Sequence, residues 1–245
     1  MTYGYNVIPS PTHTPGKPLS TPIVFFDDFL VSPLYTGTAG AEASAYGKFS
    51  RVANNGEWLF VNEAGAATMP VPSDDADGGW ITAVTDANTS DDFSAQLNGE
   101  PFKLAAGRNL YWEMKLKVSA VTVNALFGLA LADATPFASA PAEYIAFRLS
   151  DGADIEFTCD TGSAAPAFVD SGVDIVADTF VVLAFEWIAG SSRIKFYVDG
   201  VHVGTKTTTI PLNQHLSPIF GLQTTTDAAK TLTVDYILVV NDRHA

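Results

Sequence analysis

Two carboxylates at alternating positions are the residues whose spacing best fits glycosidic chemistry. Asp154 and Glu156 are two positions apart, so in a β-strand their side chains share a face and their Cα atoms lie about 6.6 Å apart. A retaining glycoside hydrolase needs two carboxyl groups about 5–5.5 Å apart, one of them a nucleophile. The pair can hold such a spacing, but two acids on a solvated sheet face are the competing interpretation.

Other reactive side chains do not form a recognisable centre. The histidines, at positions 13, 202, 215 and 244, contain no pair at metal-ligand spacing, and Cys159 is the single cysteine. We expect Cys159 to be a small buried hydrophobe. The acidic stretch 74–78 contains oxygen ligands for Ca²⁺, but a solvated acidic loop is the favoured interpretation. The sequence therefore predicts no metal, no cofactor and no catalytic residue.

Short apolar runs separated by turn signals predict the elements that position these residues. Residues 110–118 alternate between apolar and polar side chains, which indicates a half-buried strand of period two. Asp151-Gly152 and Asp199-Gly200 each separate two such runs and predict hairpins, because glycine accepts the positive φ of a tight turn. We expect roughly ten to thirteen strands in an all-β sandwich, and a long loop over residues 62–77.

The first 22 residues differ in composition from the rest of the chain. They contain five prolines, which exclude a helix or a central strand. We therefore predict an extended N-terminal arm over residues 1–22 and one domain over residues 23–245. The arm is either a floppy tail or a segment that lies on a neighbouring subunit. The residues expected to make such partner contacts are Tyr3, Tyr5, Pro9, Pro11, Pro15 and Pro18.

Composition and charge exclude several classes of function. Of 245 residues, 47% are hydrophobic and 16% charged, which supplies a core and excludes a disordered chain. The net charge of −14 argues against binding to nucleic acid or to an anionic membrane. The first residues lack the basic start and apolar run of a signal peptide. We expect synthesis in the cytoplasm without secretion.

The second half of the chain carries a recognisable order of strands. Phe185-Glu186-Trp187 precedes Ile194 to Gly200, and a final strand contains Val234-Asp235-Tyr236. This order resembles the concanavalin A-like lectin/glucanase (laminin G-like) superfamily over about residues 78–240, which implies an antiparallel jelly-roll β-sandwich. Some glucanases of that superfamily carry Glu-x-Asp-x-Glu on one strand. Gly152 stands at the position of the first glutamate, the nucleophile, so the resemblance implies that this chain is not an enzyme.

The whole chain also resembles jelly-roll structural proteins of tailed-bacteriophage particles. The resemblance lies in the proline-rich arm, the early strand Phe26-Asp27-Asp28-Phe29 and Gly78-Gly79-Trp80. It implies a capsid decoration (cement) protein on the outer surface of the virion, with the major capsid protein and copies of itself, as a homotrimer, as partners. A lectin-like module or fibre domain is the alternative, and a glycan hydrolase is a weaker one.

Lectin members of the superfamily bind sugars with an aromatic platform and a few planar polar groups. The residues expected to make such contacts here are Trp58, Trp80 and Tyr144. A host-surface glycan would then be a further partner. Core packing is the competing interpretation for each of the three aromatic side chains.

Overall fold

The computed structural model describes residues 22–29, 34–35, 47–50, 57–61, 68–73, 79–133, 135–162 and 166–242. Strands account for the regular structure of these residues. They are β1 (Ile23–Asp27), β2 (Leu34–Tyr35), β3 (Gly47–Ser50), β4 (Glu57–Val61), β5 (Thr68–Ser73), β6 (Trp80–Val84), β7 (Asp92–Leu97), β8 (Phe102–Lys103), β9 (Leu110–Val118), β10 (Val123–Ala130), β11 (Glu143–Ser150), β12 (Asp154–Thr161), β13 (Val169–Asp174), β14 (Val181–Trp187), β15 (Ile194–Val198), β16 (Val201–Lys206), β17 (His215–Thr224) and β18 (Thr231–Asn241).

The strands form two antiparallel sheets. Sheet A has the order β16-β15-β14-β9-β18-β6-β5, with β1 also paired to β18. Sheet B has the order β13-β12-β11-β10-β17-β7-β4-β3-β2, with β8 also paired to β17. The chain passes repeatedly from one sheet to the other, and the described residues contain no helix. The all-β antiparallel sandwich expected from the sequence is confirmed.

Alternation of side chains decides which face of each strand is buried. In β9 every second residue, from Leu110 to Val118, is buried, whereas the residues between them are half-buried on the outer face. The ring of Trp112 stacks on that of Phe185 at 5.0 Å between centroids, and Phe147 of sheet B lies 6.3 Å from it. Phe157 and Phe196 continue the aromatic core across the two layers, with centroids 4.5 Å apart.

The two predicted hairpins are present, but their turns differ. At Asp199-Gly200 both residues have positive φ, so a two-residue turn joins β15 to β16. Between β11 and β12 the loop has three residues, and Asp151 rather than Gly152 takes the positive φ, at 50°. The prediction that Gly152 takes the positive φ is therefore wrong for the turn between β11 and β12. The loop there is one residue longer than a two-residue turn, and Asp151 takes the positive φ instead.

The long loop predicted for residues 62–77 is also wrong in part. Thr68–Ser73 forms β5, which pairs with β6 at the end of sheet A. The two prolines in this segment argued against a strand, because proline has no amide hydrogen to donate to a neighbouring strand. A strand at the end of a sheet has one unpaired side, and on that side no amide hydrogen is needed. The short strands β2, β3 and β8 further raise the number of strands above the ten to thirteen expected.

Candidate functional site

The outer face of sheet B carries the two carboxylates singled out in the sequence. Asp154 and Glu156 alternate with Ile155 and Phe157, which belong to the core, so both acids point away from the sandwich. Gly152 lies in the loop before the strand. The structure thus places Asp154 and Glu156 on one face, as expected.

Glu156 is held by an arginine directly opposite it on the next strand. Arg148 and Glu156 are register partners in β11 and β12, and Arg148 Nε donates to Glu156 Oε2 at 2.6 Å. The guanidinium carbon lies 3.3 Å from the centroid of the Phe168 ring, so the arginine is sandwiched between a carboxylate and an aromatic face. The charge-assisted bond fixes the orientation of the Glu156 carboxylate.

Three aspartates form an acidic rim beside this ion pair. Asp154 is the register partner of Asp174, and Asp170 is the partner of Glu156. The charge of Asp170 is the main cause that raises the pKa of the exposed Asp154 carboxyl, followed by desolvation and the charge of Asp174. We call Asp154, Asp170 and Asp174 the acidic rim.

Neutralising the acidic rim should stabilise the protein in a pH-dependent way. Because the pKa of Asp154 is raised in the folded chain, ionisation is less favourable there than in the unfolded chain, and stability falls as the pH rises through the carboxyl range. Asp154→Asn should therefore raise the melting temperature at pH 7, and the gain should shrink towards pH 3 and in high salt. Thermal unfolding at both pH values measures this. A gain that is equal at both would contradict repulsion as its cause.

Two connecting segments cover part of the same face and border an open cavity of about 350 Å³. The loop of residues 131–142 joins β10 to β11, and Asp133 N donates to Gln96 Oε1 at 2.9 Å, which ties this loop to β7. Residues 166–168 approach from the connection between β12 and β13. The lining residues are Asn124, Ala125, Leu126, Pro136, Phe137, Ala140, Pro141, Tyr144, Arg148, Leu149, Ser150, Pro166, Phe168 and Gln223.

The cavity combines an apolar wall with a few polar groups. Phe137 and Phe168 pack against an outer-face cluster that includes Leu126 and Tyr144. The Tyr144 hydroxyl has no hydrogen-bond partner among the described residues, although the side chain is only 1% exposed. Burial is the main cause that raises the pKa of this hydroxyl, so it stays protonated and able to donate. A partly open site with aromatic walls and an unpartnered donor suits a ligand that brings its own acceptor.

The opposite side of the cavity is lined by side-chain amides. Asn124 Nδ2 donates to Gln223 Oε1 at 3.0 Å, and Gln223 Nε2 donates to Asp92 Oδ2 at 3.5 Å, so the fold itself orients both amides. These amides and Arg148 were not among the residues expected from the sequence. Two loops with Pro136-Phe137 and Pro166-Ala167-Phe168, at the same end of neighbouring strands, are the signal in the sequence that could have indicated a covered face.

The three aromatic residues expected to contact a glycan lie in three different places. Trp58 is 2% exposed in the core, where its indole nitrogen donates to Asp27 Oδ2 at 3.0 Å, so it is not available to a glycan. Trp80 is half-buried on the outer face of sheet A, with Lys117 Nζ 5.3 Å from its ring centroid. Only Tyr144 lines the cavity. The structure therefore does not combine the three into one site.

The other predicted contacts fall partly outside the described residues. This applies to the arm positions Tyr3, Tyr5, Pro9, Pro11, Pro15 and Pro18, and to the acidic stretch 74–78. Within the described ranges, no group of three or more His, Cys, Asp or Glu side chains is placed to hold a metal ion. Nor does this part of the chain include a helix with the length and apolar character needed to cross a membrane.

The outer face of sheet A carries a network of tyrosines and glutamates that the sequence analysis missed. Glu113 accepts hydrogen bonds from the hydroxyls of Tyr111 and Tyr236, the latter at 2.6 Å. Glu186 accepts from Tyr197 Oη at 2.5 Å and from Lys195 Nζ at 3.0 Å. Desolvation, with the glutamate bond as a further cause, raises the pKa of Tyr197 to about 12. The alternation over residues 110–118 predicted only that Glu113 lies on the polar side of a strand.

Cys159 is buried in the core, as expected. Burial is the main cause that raises the pKa of its thiol to about 11. At pH 8 the native thiol should therefore react with a disulfide reagent on the order of a hundredfold or more slower than an unperturbed cysteine of pKa about 8.5. Ellman's reagent, added to native protein and to protein in guanidinium chloride, measures the two rates. Equal rates would contradict the burial.

The comparisons with known proteins agree with the architecture. The sequence profile described as the Concanavalin A-like lectin/glucanases superfamily matches residues 113–231. No curated protein matches the sequence.

Three solved structures illustrate the similarity of fold. An endo-1,3-beta-glucanase from Streptomyces sioyaensis is 16% identical, with a TM-score of 0.51 over 95% of this chain and 100% of that one. The carbohydrate recognition domain of Emp47p is 11% identical, with a TM-score of 0.54 over 76% and 89%. A protein of unknown function from Shewanella oneidensis MR-1 is 14% identical, with a TM-score of 0.55 over 94% and 92%. At these identities the likeness concerns the fold alone.

Proposed function

We propose that this chain, a concanavalin A-like jelly roll by its fold, is a non-enzymatic structural protein of a tailed-bacteriophage particle. In this proposal it is a capsid decoration protein that binds the outer surface of the head and stabilises it. Its partners are the major capsid protein and further copies of itself, as a homotrimer. The proposal that the protein lacks catalytic activity is supported by the Arg148–Glu156 ion pair, which lies on a face partly covered by the loop of residues 131–142.

An adhesive role is supported by the surface next to the proline-rich arm. The arm precedes Ile23, and β1 then presents Val24 and Phe26 outward on sheet A, 59% and 42% exposed. The ring of Phe26 lies 5.9 Å from that of Tyr236, whose hydroxyl belongs to the network described above. Exposed apolar and tyrosine side chains side by side are typical of surfaces that bind other proteins.

Decoration would stabilise a head by mass action, because a protein that binds only the assembled state favours that state. The net charge of −14 disfavours contact with packaged DNA and suits an outer position. Synthesis in the host cytoplasm followed by attachment to the particle requires no export.

Immunogold labelling of particles from the phage that encodes this chain tests the proposal. We expect label over the heads at regular density, and heads that lack the chain should break at lower temperature. Label confined to tail fibres or cell surfaces, with heads of unchanged stability, would contradict decoration.

The non-enzymatic part has its own test. Purified protein should release no reducing sugar from β-glucans, because Glu156 is paired and Gly152 offers no carboxylate. The matched variants are Glu156→Gln and, on the opposite sheet, Glu113→Gln. Hydrolysis by the parent that only Glu156→Gln abolishes would overturn the proposal.

Glycan binding is the second candidate function, favoured by the polar groups in the cavity. Tyr144, Arg148, Asn124 and Gln223 provide the planar polar side chains that sugar sites use, and Phe137 and Phe168 provide aromatic faces. A glycan array probed with the parent protein and with Phe137→Ala separates the candidates. A defined sugar that binds the parent alone would favour the lectin-like module.

A further inference from the structure

The cavity on the outer face of sheet B combines polar side chains with a wall of aromatic rings and prolines. Two phenylalanines and three prolines, Phe137, Phe168, Pro136, Pro141 and Pro166, form most of the loop side of the wall. Its polar groups include the buried Tyr144 hydroxyl, which lacks a partner among the described residues, and the side-chain amides of Asn124 and Gln223. Aromatic walls with a few donors are the recognition mode for polyproline II segments, whose carbonyls are not used by internal hydrogen bonds.

The chain itself contains a segment of matching chemistry. Pro15-Gly16-Lys17-Pro18 has the Pro-x-x-Pro spacing that brings two prolines to one side of a polyproline II helix. Lys17 lies between the two prolines. Residues 1–22 contain no aspartate or glutamate, although the chain as a whole carries a net charge of −14.

The acidic rim supplies the complementary charge. Asp170 and Asp174 follow Phe168 along β13, and Asp154 lies opposite Asp174 on β12, so the rim lies beside Phe168, which lines the cavity. Asp154 is exposed, and the raised pKa of its carboxyl reflects the uncompensated charge of Asp170 and Asp174. A lysine placed there would relieve this repulsion, whereas an acidic surface of the same protein would increase it.

We propose that the cavity binds the Pro15–Pro18 segment of a neighbouring copy, with the prolines against Phe137 and Phe168 and Lys17 at the acidic rim. This deepens the proposed function, on which it rests, by naming the contact between copies. The arm leaves from β1 in sheet A, whereas the cavity lies on the outer face of sheet B, in the opposite layer. The eight residues from Pro15 to Pro22 can extend about 25 Å at about 3.1 Å each, so the contact requires a copy whose cavity lies within that distance of Ile23.

Cysteine cross-linking in the full chain tests the contact. Gly16→Cys is combined with Val169→Cys, next to Phe168 and 40% exposed, or with the control Val201→Cys, on sheet A and 65% exposed. We expect covalent oligomers under mild oxidation with Val169→Cys only. Oligomers of equal yield with Val201→Cys, or a disulfide formed only within one copy, would overturn the proposal.

A second set of variants identifies the groups that bind. Pro15→Ala with Pro18→Ala, and separately Phe137→Ala, should reduce the cross-linking rate about tenfold, as expected for anchor residues. Thr12→Ala with Thr14→Ala should leave the rate unchanged. If Phe137→Ala instead abolishes binding to a sugar and leaves the cross-linking rate unchanged, the occupant is a saccharide and the proposal fails. If cross-linking is absent but immunogold label is still found on the heads, the contact between the arm and the cavity is rejected. The proposed decoration role is not contradicted by that result.

Discussion

Trp112→Ala should lower the free energy of unfolding by about 3–5 kcal/mol, the usual cost of removing a large aromatic side chain from a packed core. Trp112 is completely buried between the sheets and stacks on Phe185 at 5.0 Å. Phe147 of the opposite sheet lies 6.3 Å from the Trp112 ring. The space left by the removed indole would therefore lie between the two sheets rather than at an edge of the sandwich. Neighbouring strands cannot close it without shifting the register of the sandwich.

Urea unfolding, monitored by far-UV circular dichroism, measures the loss. Trp80→Ala is the matched control, because Trp80 is half-buried on the outer face of sheet A and leaves no enclosed space. The control should change the free energy of unfolding by less than about 1.5 kcal/mol, since only part of its apolar surface is buried. Equal losses for both variants would mean that the core does not depend on the stack at Trp112.

The sequence predicted those parts of the fold that repeat a local pattern. The period of residues 110–118 gave the buried and outer faces of β9 correctly, and Asp199-Gly200 gave the second hairpin. Segments without such a pattern were missed. Pro70 and Pro72 hid β5, because local propensity does not show whether a strand lies at the end of a sheet.

The candidate site was predictable only in part. A hairpin centred on Gly152 pairs residues placed symmetrically around it, so the position of Arg148 opposite Glu156 follows from the sequence once the centre is known. The cavity does not follow, because it depends on how the loop of residues 131–142 returns over the sheet. Trp58 shows the same limit, since the apolar run of four residues 58–61 does not reveal which face of the strand is buried.

Gly128→Ala should be the most disruptive single-methyl substitution near the site. A Cβ atom at Gly128 would lie 2.1 Å from the carbonyl oxygen of Ile145 and 2.8 Å from the Cα of Ala146. Both are backbone atoms of the paired strand β11, so the clash can be relieved only by separating β10 from β11. Overpacking of this kind costs about 1–3 kcal/mol and more where backbone must move.

The displacement would also disturb the cavity, because Leu126 and Tyr144 on these two strands form part of its wall. Gly107→Ala is the control: its Cβ would meet no atom within 4 Å, and the backbone there does not have positive φ. The control should be neutral or stabilising by up to about 1 kcal/mol through the unfolded chain. Urea unfolding of both variants compares them. A Gly128→Ala protein as stable as the control would show that β10 and β11 can separate locally at little cost, and the rigid floor that the cavity needs for binding a proline segment would then be absent.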